Sequence, residues 1–237
     1  MIAVLASRYD ALAHRWTDRW ASRGAAPLTP DDLSQAGWRH YLNAPADGVA
    51  IVGGRRVGVA EISGVLVRLP CVYEQDLPHI VPADRGYVAA EMTAFLASWL
   101  STLPCPVLNR PTPTCLAGPF WRPEQWAFAA ARLGIPISPV SCLVAPGAAS
   151  PNTRAPDVPK RTVTVVGDHC VGDEDELLRR QARSLASAAG VALLTVSFTC
   201  GAPAAHFVDA NLWPRLDDDL TEAIFAYLGG QTVERRS

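Results

Sequence analysis

The chain has 237 residues, 49% of them apolar, enough for one large or two small domains to bury a core without covalent staples. Its formal net charge of −2 leaves no basic footprint for nucleic acid or an anionic membrane surface. No apolar run approaches the ~20 residues of a membrane-spanning helix.

The opening MIAVLA lacks a basic leader and runs at once into Arg8, Tyr9 and Asp10, so it reads as a buried first strand and not a signal peptide. Residues 10–24 follow as a helix. Leu12, Trp16 and Trp20 recur at four-residue spacing, and Gly24 is a natural stop. Thr29, Pro30 and Asp31 signal a helix start or turn. The runs 49–52 and 56–59 flank Gly53-Gly54 and predict a hairpin. Residues 62–68 (ISGVLVR) read as another buried strand, 87–103 as a helix ended by Pro104 and Pro106, and 107–109 as a short strand. Residues 123–133 form a helix with Pro in its first turn and Gly134 just past its end, the expected asymmetry.

The periodicity then stops. Residues 139–159 hold six prolines or glycines with no apolar pattern and read as a joint. Beyond it, 161–167 (RTVTVVG) is a strand and 175–190 a helix capped by Gly190. Residues 193–198 and 206–210 are two more strands, and 220–228 is a last amphipathic helix, with Asp217, Asp218 and Asp219 at its favourable N-terminal end.

Few side chains suggest chemistry by spacing alone. The histidines form no H-x-x-x-H or H-E-x-x-H pattern. The six cysteines are widely spaced without a C-x-x-C pair and read first as core residues of a reducing compartment, a disulfide or metal framework being the alternative. Cys200 and His206 make a thiol–base couple only if the fold joins them. Gly167 and Gly172 do not complete a G-x-G-x-x-G loop. Lys160 is the single lysine among 21 basic residues. Trp16, Trp20, Trp99 and Trp126 sit at helical apolar positions and are expected in the core. Trp213 follows the last strand and is expected to be exposed as a partner contact.

Three blocks together resemble the ATP-grasp superfamily, in particular the RimK-like and peptide-maturase ligases. The first is 64–68 (GVLVR), the helix from Tyr87 with Glu91, and 107–111 (VLNRP). The second is 122–136, similar to that family's K-x-x-Q helix. The third is 161–211, ending in FVDANLWP at 207–214. The resemblance covers about two-thirds of the chain. It implies an α/β fold: a pre-ATP-grasp-like open sheet over 1–120, a helix and Pro-rich linker over 121–159, and a C-terminal ATP-grasp-like antiparallel subdomain over 160–232.

The resemblance also implies what is missing. Such ligases hold ATP between two subdomains, and the central, nucleotide-clamping one falls between the second and third blocks. Here only residues 138–160 occupy that position. The family's first phosphate lysine corresponds to Arg122, and Lys and Arg are not equivalent at a phosphate. Asp209 and Asn211 match the family's metal-binding strand, with Asp one methylene shorter than the usual Glu, while the upstream acid corresponds to Ser197. The expected reading is a degenerate, non-catalytic ATP-grasp-like cytoplasmic protein that binds a peptide, a small carboxylate or a partner enzyme. Arg68, Arg122 and Arg161 would offer an anion-binding face, Trp213 would contact the partner, and no cofactor is expected. Dimerisation or a partner would cover the face that the lost subdomain leaves open. The alternative is an ATP-dependent carboxylate–amine ligase with a minimal nucleotide site, completed by a second chain, in which Asp209 and Asn211 hold Mg²⁺ beside ATP.

Overall fold

The computed structural model describes residues 1–137, 160–200, 205–214 and 217–230. The Pro-rich joint at 139–159 lies outside the described residues. Two four-stranded sheets and one two-stranded hairpin make up the described architecture.

The first sheet is parallel. β1 (Ile2–Leu5) lies between β2 (Ala25–Leu28) and β5 (Gly64–Val67), and β6 (Val107–Leu108) extends β5, giving the order β2-β1-β5-β6. β1 and β5 are buried on both faces, which is why each reads as an unbroken apolar run. Ala3, Leu5, Val65 and Val67 pack on one side with Leu96, Trp99 and Leu100 of α3 (Arg85–Thr102) and with the hairpin of β3 (Val49–Val52) and β4 (Arg55–Gly58). Ile2, Val4 and Leu66 face the other way, onto α1 (Ala11–Trp20). A short α2 (Pro30–Leu33) follows β2 at the Thr29–Asp31 signal.

The second sheet is antiparallel, in the order β10-β9-β7-β8, with β7 (Lys160–Val166), β8 (His169–Gly172), β9 (Leu193–Thr199) and β10 (Phe207–Asn211). One face packs on α4 (Pro123–Arg132) and α5 (Glu176–Ala189) through Trp126, Ala130, Leu178, Ala182 and Leu185. The Asp175 carboxylate caps α5 by accepting the Leu177 and Leu178 N–H groups, and Gly190 ends it in the left-handed conformation.

The last helix, α6 (Asp218–Leu228), lies against both sheets, touching β5 of the parallel sheet and β7 and β8 of the antiparallel one. Its apolar residues Leu220, Ile224, Phe225 and Leu228 share a core with α1, with Ile2, Val4 and Leu66 of the parallel sheet, and with Val166 and Leu193 of the antiparallel one. Trp20 lies between Trp16 and Phe225, with ring centroids 5.8 and 5.4 Å away, tilted contacts each worth about 0.5–1.5 kcal/mol beyond the area they bury. Arg19 meets Asp218 at 2.5 Å and Arg23 meets Glu222 at 2.7 Å on the rim. A second clasp joins the sheets from the other end. Asn109, buried at the end of β6, accepts the Ala192 and Leu193 N–H groups on its Oδ1 and donates from Nδ2 to the Leu193 carbonyl. Among the described residues no helix is long and apolar enough to cross a membrane.

Candidate functional site

The site follows from the register of the antiparallel sheet. Asp209 on β10 lies opposite Ser197 on β9, which lies opposite Thr162 on β7. One step along, Asn211 lies opposite Thr195, which lies opposite Thr164. Directly opposed residues point to the same face and neighbours in sequence to opposite faces. Val163, Val165, Leu194, Val196, Phe198 and Ala210 therefore go to the helix-covered side. The six polar side chains share the other face, and Lys160, paired with Thr199, stands on it too. A register shift between Phe207 and Asp209 sets this alignment, since it lets Phe207 remain in the core while Asp209 turns outward.

Asp209 and Asn211 are exposed at the end of the outermost strand. The Asp209 carboxylate accepts the Ala210 N–H at 2.8 Å, and the Asn211 side-chain oxygen accepts the Trp213 N–H at 2.8 Å. Thr164 and Thr195 share a hydroxyl–hydroxyl bond of 2.8 Å. Mg²⁺ takes hard oxygens in octahedral arrangement and is normally held by one or two carboxylates together with phosphates. The donor set on this face is one carboxylate, one amide oxygen already engaged by backbone, and neutral hydroxyls. Among the described residues no three His, Cys, Asp or Glu side chains gather around one point. These residues fit a resident divalent cation poorly, because Ser197 supplies no charge where the second carboxylate would sit.

The three arginines do not converge on this face. Arg161 pairs in register with Phe198 and so lies on the opposite side of the sheet from Asp209. Its guanidinium grips both oxygens of Asp173 at 2.6 and 2.7 Å and reaches Asp175 at 3.2 Å. The Arg161 guanidinium beside it, with the Asp175 N–H, holds the Asp173 carboxyl below its ordinary value. Arg122 is exposed at the start of α4, where its own N–H donates to Gln125 Oε1. Trp213, expected to be exposed, is half-buried and packs on the core of the parallel sheet.

Arg68 lies in a different place, just past β5 at the carboxyl edge of the parallel sheet, where β1 and β5 are neighbours whose connections leave in opposite directions. Open α/β sheets commonly bind ligands at such a point. Here the position is closed: the Arg68 side chain is 10% exposed, donates from Nε to Asp10 Oδ2 at 2.8 Å and lies 5.2 Å over the Trp16 ring. Asp10 also caps α1 by accepting the Leu12 and Ala13 N–H groups. Burial pushes the Asp10 carboxyl up, but those N–H groups and Arg68 together outweigh it and hold the carboxyl below its ordinary value of 3.8. The stabilisation from this lowered value is present above pH 3.8 and is lost as pH falls through the folded value. Asp10→Asn keeps the cap and loses the charge pair. It should cost about 1–2 kcal/mol at neutral pH, and in urea titrations the gap to the parent protein should close in acid. A gap that is constant down to acid would show that the charge pair contributes nothing.

Asn109, bonded to the backbone of Ala192 and Leu193, is a structural feature that sequence reasoning passed over. The asparagine stood within the VLNRP block, and an amide expected at the buried end of a strand was the available signal, because it must find several partners.

No protein-family model and no curated protein matches the chain. Solved structures do. The macrocyclase MdnC of Microcystis aeruginosa MRC, bound with the precursor peptide MdnA, aligns at a TM-score of 0.64 and 14% identity over 97% of this chain and 99% of its own. A RiPP-associated ATP-grasp ligase of Chryseobacterium gregarium, in complex with ADP and a leader and core peptide, aligns at 0.62 and 10% identity over 96% of each chain. The ATP-grasp ligase PsnB, with minimal precursor, Mg and ADP, aligns at 0.60 and 14% identity over 96% of this chain and 98% of its own. The chain has an ATP-grasp-like fold, a parallel sheet joined to an antiparallel one.

Proposed function

We propose that this chain is a non-catalytic ATP-grasp-like protein that binds a peptide in the cytoplasm, alone or alongside a partner enzyme. The observation that carries the reading is the polar face of the antiparallel sheet, where Asp209 stands opposite Ser197 and Arg161 turns away. A nucleotide triphosphate needs its charge neutralised by cations and preorganised donors before a phosphoryl group can move. Among the described residues of its strands, that face offers one carboxylate and one exposed lysine. The chain from residue 138 to residue 159 is also shorter than the ~50 residues of a small domain, so it is too short for a nucleotide-clamping subdomain. The solved structures with this fold that hold precursor peptides support a peptide as the bound partner.

A second reading rests on what is retained. Asp209, Asn211 and the exposed Arg122 suit an ATP-dependent carboxylate–amine ligase whose nucleotide site a second chain completes. Calorimetric titration of ATP with Mg²⁺ separates the two. The non-catalytic reading expects no heat at millimolar ATP, and the same flat trace for Asp209→Ala. Micromolar binding that Asp209→Ala abolishes would overturn it in favour of the ligase.

A further inference from the structure

A groove of about 550 Å³ runs along α3, between the loop after β5 and the turn after β6. Its floor is small: Ala90, Ala94 and Ala97 of α3. Its wall carries two cysteines, Cys71 from the loop and Cys115 from the turn. The Leu116 N–H donates to the Pro70 carbonyl at 2.8 Å, so the two segments lie side by side with a cysteine next to each bonded residue. Backbones joined in this way sit about 5 Å apart, inside the roughly 4.4–6.8 Å between Cα atoms that a disulfide spans. The turn itself is fixed, since Thr112 and Cys115 exchange both backbone hydrogen bonds. Both thiols are free.

We propose that Cys71 and Cys115 are a dithiol pair that closes reversibly to a disulfide by exchange with a small-molecule disulfide of the glutathione type. The two positions differ in access. Cys71 is half-exposed and Cys115 is buried, so Cys71 is the attacking thiol and Cys115 the resolving one. Burial pushes the Cys115 thiol up, and the neighbouring Cys71 adds to this, as expected for two sulfurs within each other's field. The same proximity acts on Tyr73, whose phenol is raised by burial and then by Cys71.

The exchange balances without an outside electron source. The Cys71 thiolate attacks one sulfur of the small disulfide, and a thiolate leaves and takes up the Cys71 proton. The Cys115 thiolate then attacks the Cys71 sulfur of the mixed disulfide and displaces the second small thiolate, which takes up the Cys115 proton. Two protein thiols become one disulfide, and one small disulfide becomes two small thiols. The bond would staple the loop after β5 to the turn after β6 along one wall of the groove.

The test is to incubate the native full chain with oxidised glutathione, block free thiols with an alkylating agent, and map the digested peptides by mass. The exposed Cys200 serves as the internal control that the reagents reach the protein. The expected result is a linked peptide pair carrying Cys71 and Cys115 that dithiothreitol separates, together with a raised melting temperature. Cys71→Ser should abolish the link and the shift, and Cys115→Ser should leave Cys71 carrying a single glutathione. If Cys200 is modified while Cys71 and Cys115 stay unlinked, carry separate caps, or pair with other cysteines, the proposal is wrong. Because Cys71→Ser changes a half-exposed position, its circular dichroism can be matched to the parent chain before the comparison is made.

Discussion

Asn109→Ala is expected to lower folding stability by about 4 kcal/mol, read as a fall in the urea midpoint at neutral pH. The asparagine is 2% exposed and satisfies three backbone groups at once, the Ala192 and Leu193 N–H groups and the Leu193 carbonyl. Alanine removes all three partners and fills no polar role. An unsatisfied buried donor or acceptor costs about 1–3 kcal/mol, and the substitution releases three of them at once. Asn109→Asp separates the contributions. Aspartate keeps the acceptor for both N–H groups but sets an anionic oxygen against the Leu193 carbonyl. It should therefore be strongly destabilised at neutral pH and regain part of its stability in acid, where the protonated carboxyl can donate again. A cost below about 1 kcal/mol for Asn109→Ala would mean that the clasp between the sheets is held by the apolar contacts around it.

The elements of this fold were largely legible because their signals are local. The N-cap aspartates, the proline at the start of α4, the glycine after α5 and the alternation of β7 and β9 each follow from a few neighbouring residues. Two strands escaped. Residues 25–28 (AAPL) contain Pro27, which disfavours a central strand but is tolerated at the sheet edge that β2 occupies. Residues 169–172 (HCVG) are too short for a pattern and become a strand only by pairing with β7. The partner of α6 was not legible for a different reason. A 3.6-residue period shows that Leu220, Ile224 and Leu228 share a face, but not which surface covers it. Trp20 and Phe225 decide that, and they are about two hundred positions apart. The candidate site was legible as residue types and not as an arrangement. Asp209, Asn211 and Ser197 do come together, because one strand pairing sets all three. Arg161 has the parity of Val163 and Val165, which already places it on their face. That this face is the one turned from Asp209 depends on the register across three strands, including the shift at Phe207.

Gly64→Ala should cost about 2–3 kcal/mol by displacing α6 from the parallel sheet. A methyl group built on Gly64 would lie 2.5 Å from the Leu228 carbonyl oxygen and 2.8 Å from both its Cα and its Cβ. Such separations are far inside contact distance, and the obstructing atoms are two backbone atoms and a Cβ fixed to the backbone, so no rotamer change relieves them. Two effects oppose each other. Alanine restricts the unfolded chain, which favours the variant by about 0.4–1 kcal/mol. Overpacking a closed interface costs roughly 1–3 kcal/mol and occasionally more, and here it moves a helix that holds Trp20 and Phe225 in contact. The second effect wins. The double variant with Leu228→Ala tests the cause, because alanine at 228 retains all three obstructing atoms. If the clash is with the helix backbone, Gly64→Ala should cost the same in that background to within about 0.5 kcal/mol. If the Leu228→Ala background instead cancels the cost, the leucine side chain is what the methyl group meets, and α6 is free to sit slightly farther from β5 than the structure places it.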